Sequence, residues 1–473
     1  MKNFIHKPVF FAAGRLLQKP LFVAVLLAGL CAVPSGAQQR AGEQAGATTQ
    51  SILQRVTQLL DQGKTTEALA LFNEINQAEA ERSSIQLLRA SILSSAGMRL
   101  ESRDIVNRII SREPNNAEAL YVRSVLQGIE GQEREQRATL ESVIKINPTH
   151  LAALIELGRI AFLGKSYRTA ASYFDRALAV SPDDGDALVG RAGVHRVAKE
   201  TQKAEALLNR AIERYPAWVT ARTERAQLYR EAGFPQNALD DLDAAQRLEG
   251  DNYWVYYDRG NVLLDLNRRE EALREFNRAV SLNPDNFPAY VFTAGLKDDI
   301  GDLDGAERDY ERLTRLRPDY YFAFEGLGLH KMRKGLWAEA KDAFSQAYAK
   351  APQETSYALL AAASWMLAGR PTDPRQFLEI AMRKVARDSL AWYMLKLYHD
   401  LSGDLDVAQR VEREQNPGIK AQMLFYLGLY YDVRNSKTLA NRYFLQAYDM
   451  AQKNILERRL NEWIVAGRNL KPN

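Results

Sequence analysis

Four histidines lie beyond the first forty residues: His150, His195, His330 and His399. None stands at a spacing that would bring two imidazoles to one metal ion, so no metal site is expected. Neighbouring carboxylates occur as Asp183-Asp184, Asp240-Asp241 and Asp298-Asp299. Acid/base work needs carboxylates opposed across a cleft, whereas sequence neighbours point apart on a helix. These pairs are therefore read as helix caps or solvated faces. No Gly-x-Ser-x-Gly elbow, phosphate-binding loop, dinucleotide fingerprint or His-Glu-x-x-His motif occurs. The single cysteine, Cys31, lies near the start, which leaves no thiol for a disulfide or metal in the body of the chain. No catalytic residue and no cofactor is expected. What remains is recognition chemistry: aromatic runs at Tyr253-Trp254-Val255-Tyr256-Tyr257 and Tyr320-Tyr321-Phe322-Ala323-Phe324, and the polar side chains of Arg159, Arg196, Gln227, Arg230 and Asn261.

The elements that carry these residues follow a fixed register. Pro114, Pro148, Pro182, Pro216, Pro284, Pro318 and Pro352 fall on a ladder of 34 positions, with Gly250 filling its one gap. Small residues run in phase with it. One row is Ala170, Ala204, Ala238, Ala272, Ala306 and Ala340; a second is Ala177, Ala211, Ala245, Ala279 and Ala347, broken by Leu313. A third is Gly158, Ala192, Ala226, Gly260, Ala294 and Gly328. A fourth row is large: Phe174, Leu208, Leu242, Phe276, Tyr310 and Phe344. Two helices approach closely only where their side chains are small, so the small rows mark helix crossings and the large row fills the space between them. Proline ends the second helix of each pair, and Asp or Asn beside it can cap the next. Gly97, Gly131, Gly233, Gly301, Gly335, Gly369 and Gly403 recur between the two helices, where a left-handed residue suits a helix end.

This pattern resembles the tetratricopeptide repeat. The resemblance is strong over residues 151–354, looser over 49–150, and degenerate over 355–454, where Pro374 takes an alanine position and Asn416-Pro417 shortens a helix. The last unit recovers the pattern with Gly428, Ala440, Phe444 and Ala447. The resemblance implies an all-α, right-handed superhelical solenoid of about twelve helix pairs. Residues 455–473 are expected to form a capping helix over its exposed end and a short tail. No stretch reads as an interdomain linker. In such repeats the second and fifth positions tend to face the concave groove, which places Trp254, Tyr257 and Phe322 there. Arg159, Arg196, Arg230 and Asn261 join them as the candidate partner-binding set. Tyr256, Tyr290 and Phe324 take the fourth position, which faces the core. The carboxylate clamp of some cytosolic members is echoed only in part, because its lysine is missing.

The N-terminus reads as an export signal. Lys2, Lys7, Arg15 and Lys19 precede an apolar stretch from Leu21 to Val33, followed by Ser35-Gly36-Ala37. The apolar run is shorter than the roughly 20 residues that span a bilayer. Cleavage after Ala37 is expected, with 38–48 as a flexible polar lead-in. The rival is a lipoprotein anchored at Cys31, against which stands Leu30 where a lipobox usually has a small residue. Without those four cations the chain balances 59 basic residues against 59 acidic ones. That argues against non-specific nucleic-acid binding.

An export signal joined to a repeat array is faintly similar to periplasmic scaffolds of the NlpI type. It implies a non-catalytic adaptor for envelope complexes: cell-wall enzymes, outer-membrane assembly or polysaccharide export. Its partner would be an extended peptide or an envelope protein. A glycan-binding module of the envelope is the alternative from a different class, and an unrecognised hydrolase is a third.

Overall fold

The computed structural model describes residues 39–370, 372–450 and 455–471. The expected signal, residues 1–37, lies outside them. The described residues are helical, with turns and one short 3-10 segment and no strand. Two compact units divide at Glu249 and Gly250, the position where glycine interrupts the proline ladder. The sequence, which shows no linker there, did not mark this division.

The first unit contains α1 (Gln39–Asp61), α2 (Thr65–Ala70), α3 (Gln77–Ala80), α4 (Ser83–Ser95), α5 (Arg99–Arg112), α6 (Ala117–Ile129) and α7 (Glu133–Ile146). It continues through α8 (Leu151–Leu163), α9 (Tyr167–Val180), α10 (Gly185–Val197), α11 (Thr201–Arg214), α12 (Val219–Glu231) and α13 (Pro235–Leu248). The second unit begins with α14 (Tyr253–Asp265), α15 (Arg269–Leu282), α16 (Phe287–Ile300), α17 (Leu303–Leu316), α18 (Tyr321–Arg333), α19 (Trp337–Lys350) and α20 (Thr355–Leu367). It ends with α21 (Arg375–Met382), α22 (Leu390–Asp400), α23 (Asp404–Arg413), α24 (Pro417–Val433), α25 (Lys437–Asp449) and α26 (Glu457–Gly467). Within each unit, consecutive helices pack as hairpins, and each hairpin packs on the next. The chain is thus an all-α array of helix pairs. Residues 39–48, expected to be a flexible lead-in, form the first turns of α1.

The register explains the packing. All six residues of the first alanine row are fully buried, as are Ala177, Ala211, Ala245, Ala279 and Ala347 of the second. The third and fourth rows match in volume. A Cβ added to Gly158 would lie 2.7 Å from the Phe174 ring, one on Gly260 2.6 Å from Phe276, and one on Gly328 2.7 Å from Phe344. Where the large row carries leucine, at Leu208 and Leu242, the small row carries Ala192 and Ala226 instead. Close packing leaves no slack for one partner to grow alone.

The turns behave as the spacing predicts. Asp184 caps α10 by accepting from the Ala187 amide at 2.9 Å, and Asn116 and Asn286 cap α6 and α16 in the same way. Gly97, Gly131, Gly233, Gly301, Gly335, Gly369 and Gly403 all adopt positive φ. In the remaining turns Lys165, Lys199, Asn267 and Asn435 adopt the same left-handed conformation. The degenerate positions shorten helices: α21 begins only after Pro374, and α23 ends at Arg413, before Asn416 caps α24.

Candidate functional site

The candidate residues divide between the two units. In the first unit Arg159 stands on α8 and makes an ion pair with Glu156, 2.7 Å from its Nη2. Arg196, on the last turn of α10, is buried and pairs with Glu231 at the end of α12. Arg230 is half-buried on the last turn of α12. A guanidinium that forms a fork in this unit is Arg225, which sequence reasoning passed over. Its Nε and Nη2 meet the two oxygens of Asp241 at 2.7 and 2.6 Å, and its Nη1 reaches Asn209 at 2.6 Å. Asp241 is buried, so the expectation of a cap or solvated face fails there: a bidentate guanidinium compensates for its lost hydration.

In the second unit Tyr257 is buried on α14, its ring 5.7 Å from Phe276 and 6.1 Å from Phe292. Asn261 is also buried and donates to the Tyr257 carbonyl one turn earlier, at 2.9 Å. In this conformation both serve the interior rather than a free groove, because a ring at the fifth position here fills the space beside Phe276. Trp254 and Phe322 are half-buried. Trp254 packs edge-on to Tyr257 at 5.8 Å, and Phe322 stacks on Tyr321 at 4.1 Å.

A buried polar arrangement in the second unit involves none of these residues. It lies where α26 meets the first helices of the second unit's repeats. Asp298, on the last turn of α16, is buried with a side chain 1% exposed. Its Oδ1 lies 2.8 Å from His330 Nε2 on α18, and its Oδ2 accepts from the Tyr310 hydroxyl on α17 at 2.9 Å. A carboxylate only accepts, so His330 carries its proton on Nε2. The third partner of Asp298 is Arg459 on α26, whose other nitrogen stands 3.4 Å from Asp299. One turn along α26, Trp463 lies 5.5 Å from the His330 ring, with the Arg333 guanidinium 5.7 Å above the indole. Burial alone would raise the Asp298 carboxyl. The hydrogen bonds from His330 and Tyr310 and the charge of Arg459 outweigh it and hold the group below its ordinary range.

A second carboxylate behaves oppositely. Burial pushes Glu325 on α18 up to about 7, aided by Glu457 and Glu354 and opposed by the Tyr357 hydroxyl and by Arg459. Tyr357 donates to it at 2.5 Å. Glu457, on the first turn of α26, is buried and accepts from Tyr426 at 2.5 Å and from Gln422 at 3.1 Å, both on α24.

Helix α26 therefore does more than cover the last pair. It packs on α24 and α25, as a cap would, and also reaches back to α18 and α16. The expectation of an end cap is corrected to that extent. Sequence reasoning had Asp298 and His330 in hand. It lacked any signal that positions 161 residues apart would meet. Among the described residues no cluster of His, Cys, Asp and Glu fits a metal ion, and no helix there is long and apolar enough to cross a membrane.

A family model described as tetratricopeptide repeat matches residues 163–217 and 293–355, and a second of the same description matches 253–286. The chain carries tetratricopeptide repeats. These matched stretches fall within the run of strict register, and the same hairpins continue on both sides of it. No curated protein sequence matches the chain. Solved structures with similar tetratricopeptide hairpins include a repeat protein from Parabacteroides merdae, 20% identical, covering 51% of this chain and 96% of its own, at a TM-score of 0.41. PilW, described as a type IV pilus biogenesis factor, is 18% identical and covers 45% of this chain and 95% of its own, at 0.40. YrrB, described as having an unusual peptide-binding site, is 19% identical and covers 39% of this chain and 95% of its own, at 0.31.

Proposed function

We propose that this tetratricopeptide-repeat chain is a non-catalytic protein-interaction scaffold, exported to the periplasm and assembling envelope complexes there. The observation that carries the scaffold reading is that the second unit already recognises a helix through side chains outside the repeat register. The register residues are consumed by packing, and the positions between them on the first helices hold α26 by an ion pair, a buried carboxylate and an indole. Exposed or half-buried aromatic and guanidinium groups such as Trp254, Phe322 and Arg230 offer further contacts of the kind that anchor protein interfaces. The periplasmic address rests on residues 1–37. N-terminal sequencing of the mature protein should begin at Gln38, and a lipid on Cys31 would overturn that address in favour of a membrane anchor. Cross-linking in the native envelope followed by capture of the chain tests the scaffold itself. Specific, saturable co-capture of one or a few envelope proteins is the expected result; a chain that captures none, while turning over a substrate in a hydrolase screen, defeats it.

A further inference from the structure

We propose that the surface formed by α16, α18 and α20 is the docking surface for a helix of a partner protein that presents a guanidinium and an indole one turn apart, and that α26 holds this surface in cis. This deepens the scaffold reading and rests on it.

The chemistry of the surface defines its ligand. Asp298 and Asp299 supply two carboxylates at the end of α16, and Asp298 is fixed from behind by Tyr310 and His330. A fixed, buried carboxylate facing outward selects a cation, and Arg459 is the cation that α26 brings. Beside it the tilted ring of His330 and the guanidinium of Arg333 form a seat for one large aromatic ring, filled by Trp463. Residues four apart share one face of a helix, so Arg459 and Trp463 enter together. A helix with that pair matches the surface in charge and shape.

The same contact shows that α26 is an imperfect occupant. It places the Glu457 carboxylate where its charge raises the cost of ionising Glu325. One oxygen of Glu457 and the Nδ1 of His330 are buried without a hydrogen-bond partner among the described residues. Such atoms carry the full penalty of lost hydration. His330 is 1% exposed, so its Nδ1 is a polar atom built into the surface that α26 leaves unused. A partner helix with an amide or a cation at the position of Glu457 would remove the repulsion. Tethering gives α26 an effective concentration of order millimolar. A foreign helix therefore displaces it only by fitting better, and the repulsion at Glu457 provides the margin.

The test uses the full chain and a fluorescent synthetic peptide of residues 455–471 carrying Glu457→Gln, read by anisotropy. Wild-type chain should bind it weakly. The full-length double variant Arg459→Ala/Trp463→Ala, which loosens the resident helix, should bind at least about tenfold more tightly. Adding Asp298→Asn to that variant should remove most of the gain. Equal binding to wild type and double variant, or no loss with Asp298→Asn, overturns the proposal. If the double variant does not fold by circular dichroism, Arg459→Gln alone alters a side chain already 36% exposed and should show the same direction with a smaller gain. A concentration-dependent dimer of wild type that Trp463→Ala abolishes would overturn it in favour of α26 exchanged between two copies. Envelope capture separates the two readings. Partners captured equally by wild type and double variant sink the docking surface and leave the scaffold standing; tight peptide binding with no captured partner does the reverse.

Discussion

The regular repeats and the C-terminal part of the second unit reach stability by different routes. In the regular repeats before Leu329, buried residues form separate groups such as Ala161, Phe162, Ala170, Phe174 and Val194, or Ala294, Leu313 and Ala323. From Leu329 to Val465 the buried residues join one continuous core that includes Tyr398, Phe425, Tyr426, Tyr430 and Phe444. Where the register is strict, each hairpin is completed by its neighbours and stability accumulates pair by pair. Where Pro374 and Asn416-Pro417 break the register and shorten α21 and α23, the lost contacts are replaced by large aromatic residues and by a helix returning over earlier ones. One region is therefore expected to yield in steps and the other as a block.

The strongest way to break this comparison is to make the same cavity in both. Phe174→Ala and Phe444→Ala each remove a fully buried ring that faces a glycine, and each should cost about 3–5 kcal/mol. Hydrogen exchange should show Phe174→Ala opening only neighbouring hairpins, and Phe444→Ala releasing protection throughout residues 329–465. Identical spreading in both variants would erase the distinction. Overpacking comes next. Ala272→Leu forces a branched side chain into a fully buried crossing and should cost about 1–3 kcal/mol in denaturant unfolding. An unchanged midpoint would mean that the small rows are not helix crossings.

Acidity sharpens the comparison from the other side. Glu325 has its folded value raised to about 7, so its contribution is fully present below the unfolded carboxylate range and lost as pH rises through the folded value. The melting of the C-terminal region should fall on the order of a few degrees between about pH 5 and 8. Glu325→Gln should flatten that slope. Asp298 is shifted downward, so its contribution is present at neutral pH and disappears only below the ordinary carboxylate range. Thermal scans at several pH values separate the two windows. The smallest effect belongs to the turns. Gly301→Ala places a Cβ at φ 82° and should cost about 1 kcal/mol, whereas Lys199→Gly, at φ 59°, should be neutral or stabilise by less than that.

The helix pairs, their crossings and most caps were legible because each rests on contacts between residues close in sequence. Gly260 and Phe276 declare their relation through period and size alone. The candidate site was legible only in its residue types. Tyr257 and Asn261 looked like groove residues by position, but the Phe276 and Phe292 rings beside Tyr257 make that position interior. Asp241 and Asp298 looked like solvated acids because their cations, Arg225 and Arg459, lie elsewhere in the chain. A repeat pattern reports nearest neighbours; it is silent on a helix that turns back.

The glycine and aromatic partnership has a consequence for recombination. The Phe174 ring on α9 is held between Gly158 of its own hairpin and Gly190 of the next, which stands 2.4 Å from the ring when given a Cβ. Tyr310 likewise faces Gly326 on the following helix at 2.5 Å. A segment cut at the prolines, where the sequence period begins, would separate Phe174 from Gly190 and leave a ring without its hollow. A join in the left-handed turn between α8 and α9 would part Phe174 from Gly158 in the same way, so the exchangeable cassette holds three successive helices, α8 to α10, and grafts that carry all three should preserve a fit that a graft of one hairpin destroys.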